Sequence, residues 1–173
     1  TTNGAIDVDV GVTNDDTHRA SNVILGTTNG RLDSRVSLLT THDQRPQPKG
    51  GHFTVRTKTT NGRLNVQFPA SPIDSLLDFD GHTTNGHADV SLHAAYEGSF
   101  SIKTSSSSAE VDNEHARDPT GKGRYRTVTT TKSGKTEVQG KIFWGTERDH
   151  KDGPETGQAN IQTSNGWARL RLL

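Results

Sequence analysis

Residues 59–68 read Thr-Thr-Asn-Gly-Arg-Leu-Asn-Val-Gln-Phe, and this phrase decides the fold because close copies of it return along the chain. Each copy has a Thr-rich start, a turn that is usually Asn-Gly, and a run of alternating apolar and polar residues. Seven copies begin at residues 1, 27, 59, 83, 104, 131 and 163, and those at 104 and 131 have lost the Asn. A short unit that returns at this spacing indicates a repeat protein whose units pack side by side.

The residues that flank each turn alternate in polarity, which is the period of a β-strand with one buried face. In the quoted phrase Leu64, Val66 and Phe68 are apolar, and the two residues between them are polar. A similar alternation precedes the turns, and no segment has the spacing of an amphipathic helix. The sequence therefore predicts an all-β chain in which each unit is a strand, a turn and a strand.

Two architectures fit this pattern. In a β-solenoid of about seven strand-turn-strand units, equivalent strands lie side by side and the Thr and Asn residues form ladders. In an antiparallel β-sandwich or meander, each Asn-Gly forms a tight hairpin turn whose central residues have positive φ. The near-identical phrases and the insertions between some of them favour the solenoid.

The composition limits the classes of protein that remain. A length of 173 residues predicts a single domain, residues 1–173, and only 27% of these residues are apolar. Lys and Arg number 20 and so do Asp and Glu, so no overall charge attracts nucleic acid. The chain has no Cys, which excludes disulfides and thiolate metal sites, and we expect no cofactor.

The first residues and the hydropathy of the chain give two further predictions. The chain opens on a copy of the phrase, without Met and without a charged-then-apolar leader, which predicts a processed form. No apolar run approaches the ~20 residues that a membrane-spanning helix needs, so we expect no membrane span.

Three further stretches accompany the Thr-Thr-Asn-Gly copies. They read Leu-His-Ala-Ala-Tyr-Glu-Gly-Ser-Phe at 92–100, Asp-Pro-Thr-Gly-Lys-Gly-Arg at 118–124 and Ile-Phe-Trp-Gly at 142–145. Together with the repeated phrase they make nearly the whole chain resemble a family of adhesin-like β-repeat domains, found at cell surfaces and including fungal members with reiterated Thr-Ser-Asn-Gly phrases. The resemblance implies an extracellular or surface-associated β-solenoid-like module and supplies no catalytic residues.

An acidic position recurs three residues after the turn glycine. It is occupied in six copies by Asp7, Asp33, Asn65, Asp89, Glu110 and Glu137. Carboxylates stacked about 5 Å apart could bind calcium or act as an acid and base on a glycan. Basic residues lie two positions earlier in several copies, so we interpret the column as a ladder of exposed ion pairs. The eight His residues lack tight metal-ligand spacing, and we predict no metal site.

Trp167 is the aromatic residue that points to a ligand. It takes the first outward position after its turn, so its indole is predicted to be partly exposed. An exposed Trp beside amide, carboxylate and guanidinium groups is a common way to bind sugars, because the ring contacts the apolar side of the pyranose. The predicted ligand-binding residues are Trp167, Asn165, Arg169, His87 and Asp89.

These observations predict an extracellular or cell-surface adhesin-like module, not an enzyme, that binds a glycan or cell-wall polysaccharide in the manner of a lectin. The alternative is a structural protein that assembles with itself through strand edges or end units. A third hypothesis is a carbohydrate-active enzyme that uses the acidic column.

Overall fold

The structure, a computed structural model, describes residues 1–16, 18–41, 50–146 and 156–173. Within these ranges the chain is all-β, with thirteen strands and no helix. The strands are β1 (Ile6–Thr13), β2 (Ser21–Gly26), β3 (Leu32–Leu39), β4 (His52–Lys58), β5 (Leu64–Gln67), β6 (Leu76–Thr83), β7 (Ala88–Leu92), β8 (Gly98–Thr104), β9 (Ala109–Asn113), β10 (Arg126–Ser133), β11 (Glu137–Trp144), β12 (Gly157–Thr163) and β13 (Ala168–Leu172).

The strands form two sheets that enclose one hydrophobic core. The first sheet has the order β1-β3-β5-β7-β13-β9, and all its strand pairs are parallel. The second sheet has the order β10-β11-β8-β12-β6-β4-β2 and is mixed, because β11 runs antiparallel to both of its neighbours. From β1 to β9 successive strands alternate between the sheets, so neighbours within a sheet come from different copies of the phrase.

The prediction of a β-solenoid of about seven stacked units is wrong. The sheets are open, and their strands do not follow chain order, because β13 lies between β7 and β9 while β12 lies between β6 and β8. In addition, β10 and β11 form an antiparallel hairpin within the second sheet. The observed order keeps the turns that contain Asn together: the turn at 163–166 contacts the turn at 83–86, and the copy at 104–107, which has Ser in place of Asn, lies on the other side of it.

The alternative, an antiparallel sandwich or meander with Asn-Gly hairpins, is also wrong. Among the eleven pairs of described strands, only β10–β11 and β11–β8 are antiparallel. The glycines of the Asn-Gly turns do not have positive φ. A tight hairpin forms instead at the copy that begins at residue 131, which lacks the Asn. There Gly134, between β10 and β11, has a φ of 64°.

The core lies between the sheets and is built from the inward positions of the alternation. Phe53, Phe68, Phe79 and Phe100, which the pattern places inward, are all no more than 2% exposed. The rings of Phe68 and Phe79 meet edge to face with centroids 5.4 Å apart. Burial of such a side chain stabilises a fold by about 1.5–3 kcal/mol, so a thin apolar layer suffices.

Five intact turns lie side by side at one edge of the sheets, and we call them the turn row. They comprise residues 1–4, 27–30, 59–62, 83–86 and 163–166, in that spatial order. In every turn after the first, the γ-hydroxyl of the leading Thr donates a hydrogen bond to the turn-Gly carbonyl of the preceding turn. The bonds are Thr27 to Gly4 at 2.9 Å, Thr59 to Gly30 at 2.8 Å, Thr83 to Gly62 at 2.9 Å and Thr163 to Gly86 at 2.8 Å.

The asparagines of the turn row form a continuous ladder. Each Asn donates from Nδ2 to the Oδ1 of the Asn before it, over 2.7 Å for Asn29, Asn61 and Asn85 and 2.6 Å for Asn165. Each of these side chains therefore satisfies its neighbour, and the ladder holds the turns in register. This arrangement gives the Asn of the phrase a structural role on the surface of the protein.

We expect Thr59→Val to lower the free energy of unfolding by about 1–2 kcal/mol, because it removes a buried hydrogen bond to the Gly30 carbonyl. Urea denaturation followed by circular dichroism would measure the change. Thr60→Val is the matched control, since Thr60 is only partly buried and its hydroxyl makes no hydrogen bond with the described residues. Equal losses for both variants would contradict the role given to the leading Thr.

Candidate functional site

The outer face of the first sheet carries the predicted site, arranged in rows that run across the strands. The row nearest the turns contains Arg31, Arg63, His87, Trp167 and Ser108, in spatial order. The next row contains Asp7, Asp33, Asn65, Asp89, Arg169 and Glu110. The third contains Asp9, Arg35, Gln67, Ser91, Arg171 and Asp112. The second and third rows therefore mix acidic, basic and amide side chains, whereas the first row contains no carboxylate.

The predicted acidic column is broken in the structure. Arg169 of β13 stands between Asp89 and Glu110, and Glu137 lies in the second sheet on β11. Asp33 forms ion pairs of 3.1 Å with both Arg31 and Arg63. Around Asp33 the column is therefore a ladder of surface ion pairs, as the basic residues two positions earlier predicted. Nor do the described residues group three His, Cys, Asp or Glu side chains in a way that could hold a metal ion.

Trp167 is half-buried and lies in a stack of side chains. The His87 ring lies parallel to the indole, with centroids 4.7 Å apart and planes 13° from each other. The Trp167 backbone N–H also donates to Nδ1 of His87 over 3.3 Å, which fixes the imidazole against the strand. Cζ of Arg169 lies 5.1 Å from the indole centroid, in the range of a cation–π contact.

Ion pairs hold the two arginines of β13 in place. Arg171 binds Asp89 at 2.6 Å, on the side of β7. Arg169 lies 3.3 Å from Glu110 and 3.4 Å from Asp112, on the side of β9. Because β7 and β9 flank β13 on opposite sides, the ion pairs hold Arg171 toward one neighbouring strand and Arg169 toward the other. His87 therefore packs against the indole, and the Arg169 guanidinium lies within cation–π distance of the same ring.

A shallow cleft of about 430 Å³, which we call the Trp167 cleft, lies over β5, β7 and β13. The structure brings four predicted residues together there, namely Trp167, His87, Asp89 and Arg169. The fifth, Asn165, does not line the cleft, because its side chain is the last member of the asparagine ladder and donates to Asn85.

Sequence reasoning missed several residues of the cleft. The additional polar lining is Arg63, Asn65, Gln67 and Arg171. These side chains occupy the same outward positions of their copies as the predicted residues, so the alternation alone marks them as candidates. Asn65 and Gln67 of β5 share a cleft with Trp167 because β13 lies next to β7, which lies next to β5. That strand order is not written in the spacing of the copies.

The chain matches the family model described as "Domain of unknown function (DUF7330)" over residues 11–172. The chain belongs to the DUF7330 family. The match includes all strands from β2 to β13 and thus the whole Trp167 cleft of this DUF7330 domain. No curated protein and no solved structure matches the chain. The resemblance to adhesin-like domains therefore stays a prediction.

The three stretches that accompany the repeats meet around Trp144 of the DUF7330 domain. The Trp144 side chain is 1% exposed, and its indole N–H donates to the Ala94 carbonyl over 2.8 Å. Its backbone N–H donates to the Glu97 carboxylate over 3.1 Å. Arg124 lies 3.9 Å from the same carboxylate and donates to the Trp144 carbonyl over 3.4 Å. These stretches thus form a structural cluster.

Asp118 fixes the loop of this cluster. Its carboxylate accepts hydrogen bonds from the guanidinium and backbone N–H of Arg124 and from the hydroxyl and backbone N–H of Thr120, over 2.8–3.2 Å. Burial by itself raises the pKa of Asp118, but these donors outweigh it and hold the pKa well below its usual range. The loop is therefore tied to its own backbone and is not an open ligand site.

The described residues contain no helix of the length and apolarity required to cross a membrane.

Proposed function

We propose that the DUF7330 domain binds a glycan in the Trp167 cleft, in the manner of a lectin. The observation that carries the proposal is the position of the stacked Trp167 and His87 rings beside an array of fixed polar side chains. Sugars present apolar C–H surfaces next to hydroxyl groups, and sites that bind them combine aromatic rings with oriented donors and acceptors.

Polar groups with unused hydrogen-bonding capacity lie opposite the rings. Asn65 donates to Asp33 over 3.2 Å, which leaves its Oδ1 as an acceptor over the cleft. Gln67 accepts from Arg35 over 3.2 Å, which leaves its Nε2 as a donor. Neither of these two atoms bonds to another described residue. Both would suit sugar hydroxyls, which donate and accept.

The ion pairs on this face also favour binding over catalysis. Asp89 is held by Arg171 and Asp33 by two arginines, so the carboxylates orient neighbouring guanidinium N–H groups toward a ligand. Glycoside hydrolysis uses a pair of carboxyl groups, and among the residues that line the cleft only Asp89 carries one. The hypothesis of a carbohydrate-active enzyme thus gains nothing from the geometry.

A shallow cleft implies weak binding at a single site, which is typical of surface recognition that is strengthened by presenting several sites together. In the same proposal the domain works outside the cell or at its surface, where glycans and cell-wall polysaccharides are available.

We expect the wild-type protein to bind a subset of sugars on a glycan array and Trp167→Ala to bind them at least about tenfold more weakly. Removal of the indole eliminates one wall of the cleft and frees His87 from its stack. Isothermal titration with the sugar selected on the array would quantify the loss.

Tyr125→Ala is the matched control, because Tyr125 is an aromatic residue that is 88% exposed and does not line the cleft. The affinity of the Tyr125→Ala variant for the same sugar should equal that of the wild type. A blank array, or an equal loss in both variants, would contradict the proposal.

A further inference from the structure

One end of the molecule is formed by an outer strand of each sheet. Strand β1 is the outer strand of the first sheet and β2 is the outer strand of the second, and the two strands are in contact with each other. Among the described residues neither strand has a partner on its outer side. Inward-facing side chains that are buried elsewhere in the fold are only partly buried at this end, namely Ile6, Val8, Val10, Val12, Val23 and Leu25.

This end also has an exposed apolar side chain and an amide donor without a described acceptor. Ile24 of β2 is 74% exposed, which makes it one of the most exposed large apolar side chains of the described chain. Asn3 accepts from Asn29, but its own Nδ2 donates to no described residue. Apolar surface next to unpaired strand edges is typical of an interaction site.

The opposite end is protected. There the second sheet ends in the antiparallel hairpin β10–β11, whose outer strand carries Thr and Lys side chains. The guanidinium of Arg126 also caps that end, donating to the Leu172 carbonyl over 3.0 Å and to the Leu173 carbonyl over 2.7 Å. Natural proteins use charges and irregular edges of this kind to prevent strand addition. The two ends therefore differ in their capacity to associate.

We propose that the β1–β2 end binds the same end of a second copy of the chain, with the two β1 strands antiparallel across a two-fold axis. The carboxylates of the outer strands argue against the alternative arrangement, in which β1 of one copy pairs with β9 of the next. If β1 extended the first sheet of another copy next to β9, Asp7 would lie opposite Glu110 of that copy and Asp9 opposite its Asp112, since these residues occupy the same rows. Like charges directly opposite each other are destabilising.

The backbone of β1 fits the antiparallel arrangement. The Ile6 N–H donates to the Arg31 carbonyl of the first sheet, so the even-numbered residues of β1 hydrogen-bond toward β3. The N–H and C=O groups of the odd-numbered residues point outward. They can therefore form the hydrogen-bonded pairs of an antiparallel ladder with a second copy.

Of the registers that keep the carboxylates apart, the one centred on Val10 pairs the longest stretch of β1, residues 7–13. When the pairing is centred on Val10, Asp9 lies opposite Gly11 of the second copy and Asp7 lies opposite its Thr13. Centring on Val8 or on Asp9 would place carboxylates opposite each other. In the Val10 register the apolar inner faces of the two copies also join, so the half-buried valines become part of one longer core.

Analytical ultracentrifugation of the full chain tests the proposal. We expect a concentration-dependent species of twice the 18.7 kDa monomer mass, without any added sugar. Asp9→Pro removes an outward N–H that β3 does not use, so it should abolish the dimer and leave the fold intact by circular dichroism. Asp9→Asn retains the N–H and should dimerise at least as well as the wild type.

Cross-linking tests the register independently, because the chain contains no Cys. Val10→Cys would place two thiols in a non-hydrogen-bonded pair, where Cα atoms lie about 4.5 Å apart and a disulfide can form. Val12→Cys, whose counterpart in this register is Val8, should cross-link far more slowly under the same oxidant.

A wild-type chain that stays monomeric at its highest soluble concentration would overturn the proposal. A dimer that persists in Asp9→Pro, or equal cross-linking of the two cysteine variants, would overturn it as well. Since none of these measurements uses the Trp167 cleft, their failure would leave the proposed glycan site untouched.

Discussion

Replacement of Gly86 by alanine is expected to destabilise the domain by about 3 kcal/mol, a large part of the stability of a typical domain. A Cβ added to Gly86 would lie 1.9 Å from the carbonyl oxygen of Gly62 and 2.5 Å from its carbonyl carbon. Both atoms belong to the backbone of the neighbouring turn, so the turns must separate for the methyl group to fit. Separation would break the Asn85–Asn61 and Thr83–Gly62 hydrogen bonds.

Gly4→Ala is the matched control for this prediction, because Gly4 holds the same place in the first phrase. A Cβ there would come no closer than 3.5 Å to another residue, which is an ordinary contact. We expect its free energy of unfolding, measured by urea titration, to lie within about 0.5 kcal/mol of the wild type. If both variants were equally stable, close packing of the turns would not be the reason for glycine in the phrase.

Asp118→Asn is expected to lower the free energy of unfolding by about 2–3 kcal/mol at pH 7, because it removes the charged acceptor of a partly buried network of hydrogen bonds. The Asp118 side chain is only 2% exposed, and Arg124 lies 3.1 Å from it. An amide also places an NH₂ group among the N–H groups of Arg124 and Thr120, so at least one donor loses its acceptor. Chemical denaturation followed by tryptophan fluorescence would measure the loss.

The effect of Asp118→Asn should depend on pH. Since the folded-state pKa of Asp118 is held below its usual range, its contribution is fully present above the unfolded-state pKa of about 4. The contribution is lost as the pH falls from that value toward the depressed folded-state pKa. The difference in stability between wild type and variant should therefore shrink below about pH 4.

Asp112→Asn provides the comparison for a surface pair. The Asp112 side chain is 50% exposed and lies 3.4 Å from Arg169, so we expect a loss of about 0.5 kcal/mol or less. A loss for Asp118→Asn as small as that of Asp112→Asn, or one that is constant from pH 7 to acid, would refute the role of the loop.

Much of the local structure could be predicted because it depends on alternation alone. The inward positions of Phe68 and Phe79 and the partial exposure of Trp167 follow from counting residues after each turn. The same count before the turn puts the leading Thr on the inner face, and Thr59 and Thr83 are fully buried. These features hold in either sheet arrangement, since they concern only which face a side chain occupies.

Strand order could not be predicted from the same pattern. The copies are nearly equivalent in spacing, so nothing in their positions says that the turn at 163–166 will contact the turn at 83–86. The Asn-Gly dipeptide was misleading for a related reason. It is the usual signal for positive φ, but here glycine is needed because the backbone of Gly62 occupies the place of a Cβ on Gly86.

The candidate site could likewise be predicted only in part. His87 and Trp167 each follow the turn glycine of their copy directly, and the structure stacks the two rings against each other. Arg169 holds the position of the acidic column in the last copy, and the structure inserts it between Asp89 and Glu110. Sequence counting therefore identified the members of the face, and only strand order decides their neighbours.

Placement of the last two strands inside the sheets has a consequence for biosynthesis. While the ribosome still holds residues 157–172, the nascent chain has a gap of one strand in each sheet, between β6 and β8 and between β7 and β9. Strands made early and strands made late can join only after this final segment is free to enter the gap. Because contacts between distant residues form slowly, assembly is expected to finish after translation of these residues and not progressively during it.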